Sequence, residues 1–298
     1  MLYRITFGFF GTEIKIVTNA KYIADFMSKE LKNSYVTQTS SILSNDNGYI
    51  EKVIAESQIG VAIVPGQTIE GSINYYGVEI PFLQITTFDN MQPIRVFLNS
   101  VVAEVLKDRC IPIHASTVSN NEKAFAFSGD KNSGKSTLSI SQVLWKDCLF
   151  VSDDVTFVGI DNNHNVVCDG IFNGVHIFEG EKYIYKNKMF YSGRDSSEYL
   201  KRRMIFKSNF LTQNPIELEA FLFPTINDDL CRGNIEPLSI NEARIAIRNN
   251  MIRFGVCYSD SIDNTINTIC ERTKMFGFQI GVNFLESMEF VYDSFVNT

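Results

Sequence analysis

Residues 129–136 read Gly129-Asp130-Lys131-Asn132-Ser133-Gly134-Lys135-Ser136, a complete G-x-x-x-x-G-K-S loop. A loop of this kind works only between a strand and a helix. Its glycines let the backbone curl until successive N–H groups turn inward at phosphate oxygens, and the helix that follows adds its dipole and its free first-turn N–H groups. The flanks fit. Lys123-Ala124-Phe125-Ala126-Phe127-Ser128 is short, aromatic and apolar, and predicts a buried strand. The run from Lys135 to Trp145 predicts a helix, with Leu138, Val143 and Trp145 broadly on one face. In that setting Gly129, Asn132, Ser133, Gly134, Lys135, Ser136 and Thr137 form the nucleotide cradle. Lys135 can reach the β- and γ-phosphates and the Ser136 hydroxyl can hold Mg²⁺.

Two further blocks belong to the same argument. Leu149-Phe150-Val151-Ser152-Asp153-Asp154 is an apolar run ending in two adjacent acids, the form of a strand that delivers carboxylates to a metal and a reacting phosphate. About a dozen residues separate it from Lys135, room for one crossover helix. Upstream, Ile111-Pro112-Ile113-His114-Ala115-Ser116-Thr117-Val118 precedes the polar cluster Ser119–Glu122 and then the Lys123 strand. This predicts an antiparallel hairpin feeding the loop, unlike the parallel βαβ order of common NTPases, with His114 on the strand beside the nucleotide strand.

His114-Ala115-Ser116-Thr117-Val118, the Phe127–Leu138 segment around the loop and Val151-Ser152-Asp153-Asp154 together resemble the kinase domain of the HPr kinase/phosphorylase superfamily. That fold is related to ATP-dependent phosphoenolpyruvate carboxykinase. The likeness is specific over residues 111–158 and weaker from Lys201 to Ala246; residues 1–90 match nothing recognisable. Bifunctional HPr kinases carry Glu-Thr-Ala after Gly-Lys-Ser, where this chain has Thr137-Leu138-Ser139. Their Leu-Glu-Ile-Arg-Gly signature is missing, and Glu179 lies at about its distance in other surroundings. HPr is therefore not the expected acceptor, nor is a phosphorylase activity expected. The closer likeness is to shorter relatives encoded with peptide natural-product clusters, including lasso-peptide kinases, which phosphorylate a hydroxyl on a precursor peptide. Another relative type acts on free serine.

The resemblance implies an α/β fold: an HPr-kinase/phosphoenolpyruvate-carboxykinase-like P-loop core with a mixed sheet and flanking helices, plus a small N-terminal α+β domain. It implies ATP and Mg²⁺, transfer of the γ-phosphate to a serine or threonine hydroxyl of a peptide or protein, and assembly into a homo-oligomer. It assigns Asp153 as base and Asp154, with Ser136, to the metal. The residues themselves leave the reverse assignment open. His114, Lys135 and a basic residue, Arg202 or Arg232, would stabilise charge on the transferring group. A phosphate loop reports a nucleotide and not an acceptor, so a small-molecule (amino-acid) kinase and a non-catalytic nucleotide-binding regulator remain alternatives.

Composition sets outer bounds. A net charge of −7 argues against a general nucleic-acid footprint; the basic run Lys201-Arg202-Arg203 is a solvated face or a clamp on phosphate or on an acidic peptide. Six scattered cysteines without a C-x-x-C pair, and only three histidines, argue against zinc and for reduced thiols in a cytoplasmic chain. His164 reads as a solvated turn residue and His176 as a residue without a nameable partner. The first ten residues hold no long apolar signal region and no stretch is long enough for a membrane span.

The expected division is residues 1–92 and 93–298. The first part predicts strands over 2–10 and 12–18, a helix over 20–32, an irregular stretch over 33–58, and strands at 59–64, 71–76 and 78–83. A helix over 93–106 leads into the second part. There, strands are expected over 155–160 and 166–168 and helices over 239–250 and 260–275. Residues 186–200 are expected to be a surface connection or a mobile loop over the site.

Overall fold

The computed structural model describes residues 2–18, 21–39, 58–65, 69–75, 78–85, 92–120, 123–178, 189–194, 201–231, 233–256, 258 and 261–295. The fold is mixed α/β. Its first sheet contains six strands: β1 (Leu2–Phe9), β2 (Thr12–Thr18), β3 (Ser34–Thr39), β4 (Gln58–Pro65), β5 (Ile69–Tyr75) and β6 (Val78–Ile85), in the order β3-β1-β2-β4-β6-β5. The β1–β2 hairpin turns on Phe10 and Gly11, both at positive φ (48° and 71°). Such a pair of left-handed residues matches the twist of a two-residue hairpin. Helix α1 (Lys21–Glu30) covers this sheet with Ile23, Ala24 and Met27. Part of the stretch expected to be irregular is β3, which pairs antiparallel with β1; residues 40–57 lie outside the described residues. Alternation in Ser34-Tyr35-Val36-Thr37-Gln38-Thr39 is mostly polar, so periodicity concealed an edge strand that backbone pairing creates.

Helix α2 (Gln92–Val105) leads to the second sheet. Its strands are β7 (Cys110–Ile113), β8 (Ala115–Ser119), β9 (Lys123–Ser128), β10 (Leu149–Ser152), β11 (Thr156–Ile160) and β12 (Val166–Asp169). Beyond them, β13 (Gly174–Phe178), β14 (Met189–Arg194) and β15 (Lys201–Phe206) form a separate three-stranded antiparallel sheet. The large sheet is completed by β16 (Ile216–Ile226), β17 (Asn234–Pro237) and β18 (Lys274–Ile280). Its order is β10-β8-β9-β16-β12-β11-β7, with β18 parallel to β16 and β17 antiparallel to β18. Helix α3 (Lys135–Trp145) connects β9 to β10, and α4 (Ile240–Asn250), α5 (Ser261–Arg272) and α6 (Phe284–Phe295) flank the sheet.

The expected hairpin is present as β8–β9, with Ala115 opposite Ser128, but the apolar run before it is broken. Residues 110–113 leave as β7 to pair with β11 at the far end of the strand order, and His114 is the single residue between β7 and β8. The sheet therefore curls until its β7 end comes round to β8 at His114. A seam of buried hydroxyls lines this closure: Thr117 Oγ1 lies 2.8 Å from Thr156 Oγ1, and Thr156 Oγ1 2.5 Å from Ser152 Oγ.

Other expectations need correction. Trp145 is half exposed, while α3 is buried from Leu138 through Val143, because the helix is sandwiched between the sheet and α6. The helix expected over 260–275 stops at Arg272; Lys274–Ile280 is a strand, and α6 follows. Residues 189–194, read as loop, form β14, and residues 186–188 and 195–200 lie outside the described residues. Helix α4 starts as expected, with a reciprocal capping box between Ser239 and Glu242.

The two large sheets share a core. Phe7, Phe9, Ile14 and Met27 from the first part pack with Leu98, Val102, Phe157 and Ile171. Phe9 meets Phe157 edge-on at 5.3 Å. Two buried ion pairs accompany this core: Arg95 with Glu30 at 3.1 Å, and Lys32 with Asp169 at 2.7 Å.

Candidate functional site

The Gly129–Ser136 loop begins where β9 ends. Gly134 has φ 91° and ψ 4°, a left-handed conformation that costs a side-chain-bearing residue about 1 kcal/mol or more. A Cβ there would also lie 2.9 Å from Ile280 Cδ1. Glycine is thus required at the step into α3. Asn132 takes a left-handed turn as well, at φ 68°, a conformation asparagine tolerates. Ser133 N–H donates to Asp130 O at 3.3 Å, closing the loop on itself. The Ser133 hydroxyl is buried without a hydrogen-bond partner. Thr137 is exposed on the first turn of α3.

Lys135 is only 7% exposed and donates from Nζ to Gly129 O at 2.9 Å and Asp130 O at 2.6 Å. Burial lowers its pKa, and the charges of Asp153, Asp154 and Asp130 oppose that shift. Those carboxylates keep a buried ammonium beside the loop tolerable.

The crossover brings the second block to the first. Strand β8 is antiparallel to both β9 and β10, so β9 and β10 run parallel and end at the same edge. The turn after β10 then sits beside the first turn of α3. Ser136 Oγ donates to Asp153 Oδ1 at 2.7 Å. Asp154 follows at φ 65° and is exposed. His114, on the same edge, is half-buried; its carbonyl accepts from Ser128 Oγ at 3.0 Å, and its N–H donates to Asn250 O at 2.7 Å. Its pKa is lowered by burial first and by the Lys135 charge second, with Asp154 and Asp130 pulling the other way. The balance of these influences favours the neutral imidazole, within electrostatic reach of Lys135 and Asp154.

Lys135, Ser136, Asp153, Asp154 and His114 thus share one edge. Residues that sequence reading did not single out hold them there. Ser139 Oγ donates to Ser136 O at 3.0 Å and lies 2.5 Å from Ser116 Oγ, which also reaches Ser152 O at 3.4 Å. This links α3, β8 and β10 through groups with essentially no exposure. The available signal was a run of small hydroxyl residues, Ala115-Ser116-Thr117-Val118-Ser119, inside a strand buried at every position. Gly170 also matters: an added Cβ would collide with Ser152 Cβ and approach Val151 O at 3.2 Å. The end of β12 therefore backs directly against the strand that carries the two acids.

Arg232 and Glu179 lie outside the described residues. Arg202 is in β15 and His176 in β13, but their side chains are outside them too. Among the described residues, no cluster of three or more His, Cys, Asp or Glu could hold a metal unaided, and no helix is long and apolar enough to cross a membrane. Of the cysteines, Cys110, Cys148, Cys168 and Cys270 are buried free thiols, Cys231 is an exposed one, and Cys257 lies outside the described residues.

The donor set can be tested for fit to Mg²⁺. Ser136 and the paired carboxylates offer hard oxygen ligands, too few for an all-protein cage and suited to an ion that keeps waters and shares phosphate oxygens. The buried, unpartnered Ser133 hydroxyl adds a polar group facing no protein acceptor inside the loop.

No family model matches the chain, and no curated protein matches it. Among solved structures, the chain is similar to the HPr(Ser) kinase/phosphatase from Coxiella burnetii at 11% sequence identity and a TM-score of 0.34, over 62% of this chain and 97% of that one.

Proposed function

We propose that the chain is an ATP-dependent kinase that transfers the γ-phosphate to a serine or threonine hydroxyl of a peptide or protein. The observation that carries this reading is the hydrogen bond from Ser136 to Asp153, which joins the end of the phosphate loop to the acidic strand. Phosphoryl transfer is mostly positioning and charge neutralisation, and these two blocks supply both. The loop N–H groups and the N-terminus of α3 receive the β- and γ-phosphates, and Lys135 moves from its loop carbonyls to their oxygens. Ser136 and Asp153 would hold a Mg²⁺ ion, which would supply further neutralisation of the phosphates. The acceptor hydroxyl oxygen bonds to the γ-phosphorus as the bond to the β–γ bridging oxygen breaks. ADP leaves with that electron pair, and the hydroxyl proton passes to a carboxylate.

The contact with Ser136 favours Asp153 for the metal side, and the exposure of Asp154 favours it as the proton acceptor. This reverses the roles implied by the family resemblance. Neutral His114 can donate a hydrogen bond to the transferring group without adding a competing acid.

The test is incubation with Mg²⁺-ATP and the short Ser/Thr-containing peptides encoded beside the gene, read by mass spectrometry. A phosphopeptide that disappears with Lys135→Ala is expected. Asp154→Asn should lower transfer by roughly 10²-fold or more while keeping nucleotide binding. Asp153→Asn should instead weaken Mg²⁺-dependent nucleotide binding. Full transfer by Asp154→Asn would return the base to Asp153. Phosphorylated free amino acid without phosphopeptide would make the protein a small-molecule kinase. Bound nucleotide with no transfer would make it a regulator.

A further inference from the structure

The edge that carries the site continues past the phosphate loop on the side away from the acids. Strand β16 runs parallel to β9, with Leu222 level with Phe127, so Pro224 stands level with Gly129; its carbonyl and ring lie against that glycine. Two residues further on, Ile226 projects beyond the start of the loop. It pairs with Ile280 of β18, the residue whose Cδ1 contacts the Gly134 position. Side chains two apart in a strand share a face. Leu222 belongs to the cluster packed under α3, so Pro224 and Ile226 point to the α3 side, where the phosphate loop lies. Ile226 nevertheless has 61% of its surface exposed, and Val282, just past β18, has 64%.

This corner is tied down by its backbone. Asn227 N–H donates to Ile280 O at 2.9 Å, Val282 N–H to Leu230 O at 2.8 Å, and Asn283 N–H to Cys231 O at 3.0 Å. Two exposed branched apolar side chains thus stand at the ends of two paired, backbone-tied strands beside the Gly129–Ser136 loop. Asp228 and Asp229, both exposed, occupy the same loop and disfavour any anionic occupant. The strand order then gives the edge a direction. The two acids follow β10, His114 precedes β8, the loop follows β9, and the apolar ledge follows β16 and β18. A nucleoside triphosphate laid across it has its terminal phosphate toward the acids and its uncharged end toward Ile226.

We infer that the ledge formed by Ile226 and Val282 receives the nucleobase of the triphosphate. The inference rests on the reading of Gly129–Ser136 as a phosphate loop, and it adds a subsite for the base that the motif does not contain. The base lies against branched aliphatic side chains, so affinity is gained by apolar contact and desolvation. The acceptor approaches from the opposite end of the edge.

The experiment compares Mg²⁺-ATP with Mg²⁺-tripolyphosphate, which has the phosphates and no base. Binding is measured by calorimetry for the wild type, for the double variant Ile226→Asn/Val282→Asn and for Lys135→Ala. Asparagine removes apolar surface without adding charge near the phosphates. The double variant should lose about tenfold in ATP affinity, with tripolyphosphate changed by less than about twofold; that unchanged binding also shows the fold is intact. Lys135→Ala should weaken both ligands. Unchanged ATP affinity in the double variant overturns the ledge assignment, including the case where only the KM for a peptide acceptor rises. Equal loss of both ligands overturns it as well, since the corner would then support the loop and not the base. Wild-type protein that binds neither ligand, or binds both independently of Lys135, refutes the phosphate-loop reading itself, and the ledge falls with it.

Discussion

Lys32 ties the N-terminal sheet to the back of the site, and breaking that tie should be costly. Its Nζ donates to Asp169 Oδ1 at 2.7 Å and to Thr212 Oγ1 at 3.1 Å, with both charged side chains only 6–7% exposed. Asp169 ends β12, and the next residue, Gly170, backs onto Ser152. Replacing Lys32 by methionine keeps the volume and removes the charge. The carboxylate would retain the Gly170 N–H at 2.8 Å but lose its counterion where water has little access. Removing one partner from a pair of this burial costs about 3–5 kcal/mol. The Asp169→Leu change should cost a similar amount, by stranding the ammonium on Thr212. Replacing both together removes both desolvation penalties, so Lys32→Met/Asp169→Leu should cost less than either single change. Urea unfolding followed by circular dichroism, with all four proteins of the cycle at one pH, measures these terms. Should Lys32→Met cost under about 1 kcal/mol, the pair behaves as a solvated one and the reasoning from burial is refuted.

Gly170→Ala places a Cβ against Ser152 and near the Val151 carbonyl, so it should destabilise by about 1–3 kcal/mol and also lower the proposed phosphoryl transfer by displacing Asp153; destabilisation with transfer intact in the remaining folded protein would show that β10 does not move. The lowered pKa of His114 means that the unfolded chain binds a proton which the folded chain resists. Its stabilising contribution is therefore complete above the ordinary histidine value, about pH 6.5, and is lost as pH falls below it toward the folded value. His114→Gln should flatten that part of the stability–pH curve, measured by urea midpoints between about pH 7 and 5; an unchanged slope there would contradict the assignment.

What could be read from the chain depended on whether a feature is local. The turn into α3 was legible because Gly134 meets a backbone demand that neighbouring residues announce. The crossover length even forecast that the acids would return beside the loop. The contact of Ser136 with Asp153 was not legible, because it needs the register of β10 on β8, and that register shifts between Phe150 and Ser152. The break at His114 was hidden for a related reason. Residues 110–113 and 115–119 are buried throughout, and continuous burial reads as one strand until the sheet sends its halves to places far apart in the strand order. The helix expected over 260–275 overruns into Lys274 and Met275, and the rest of Lys274–Ile280 is not announced as a strand because it takes parallel pairing with β16 to make it one. That missed strand puts Ile280 beside Gly134 and Ile226 on the rim. The loop proposed to hold phosphate is written in eight consecutive residues, whereas the surface proposed to meet the base is assembled from strands that the loop does not encode.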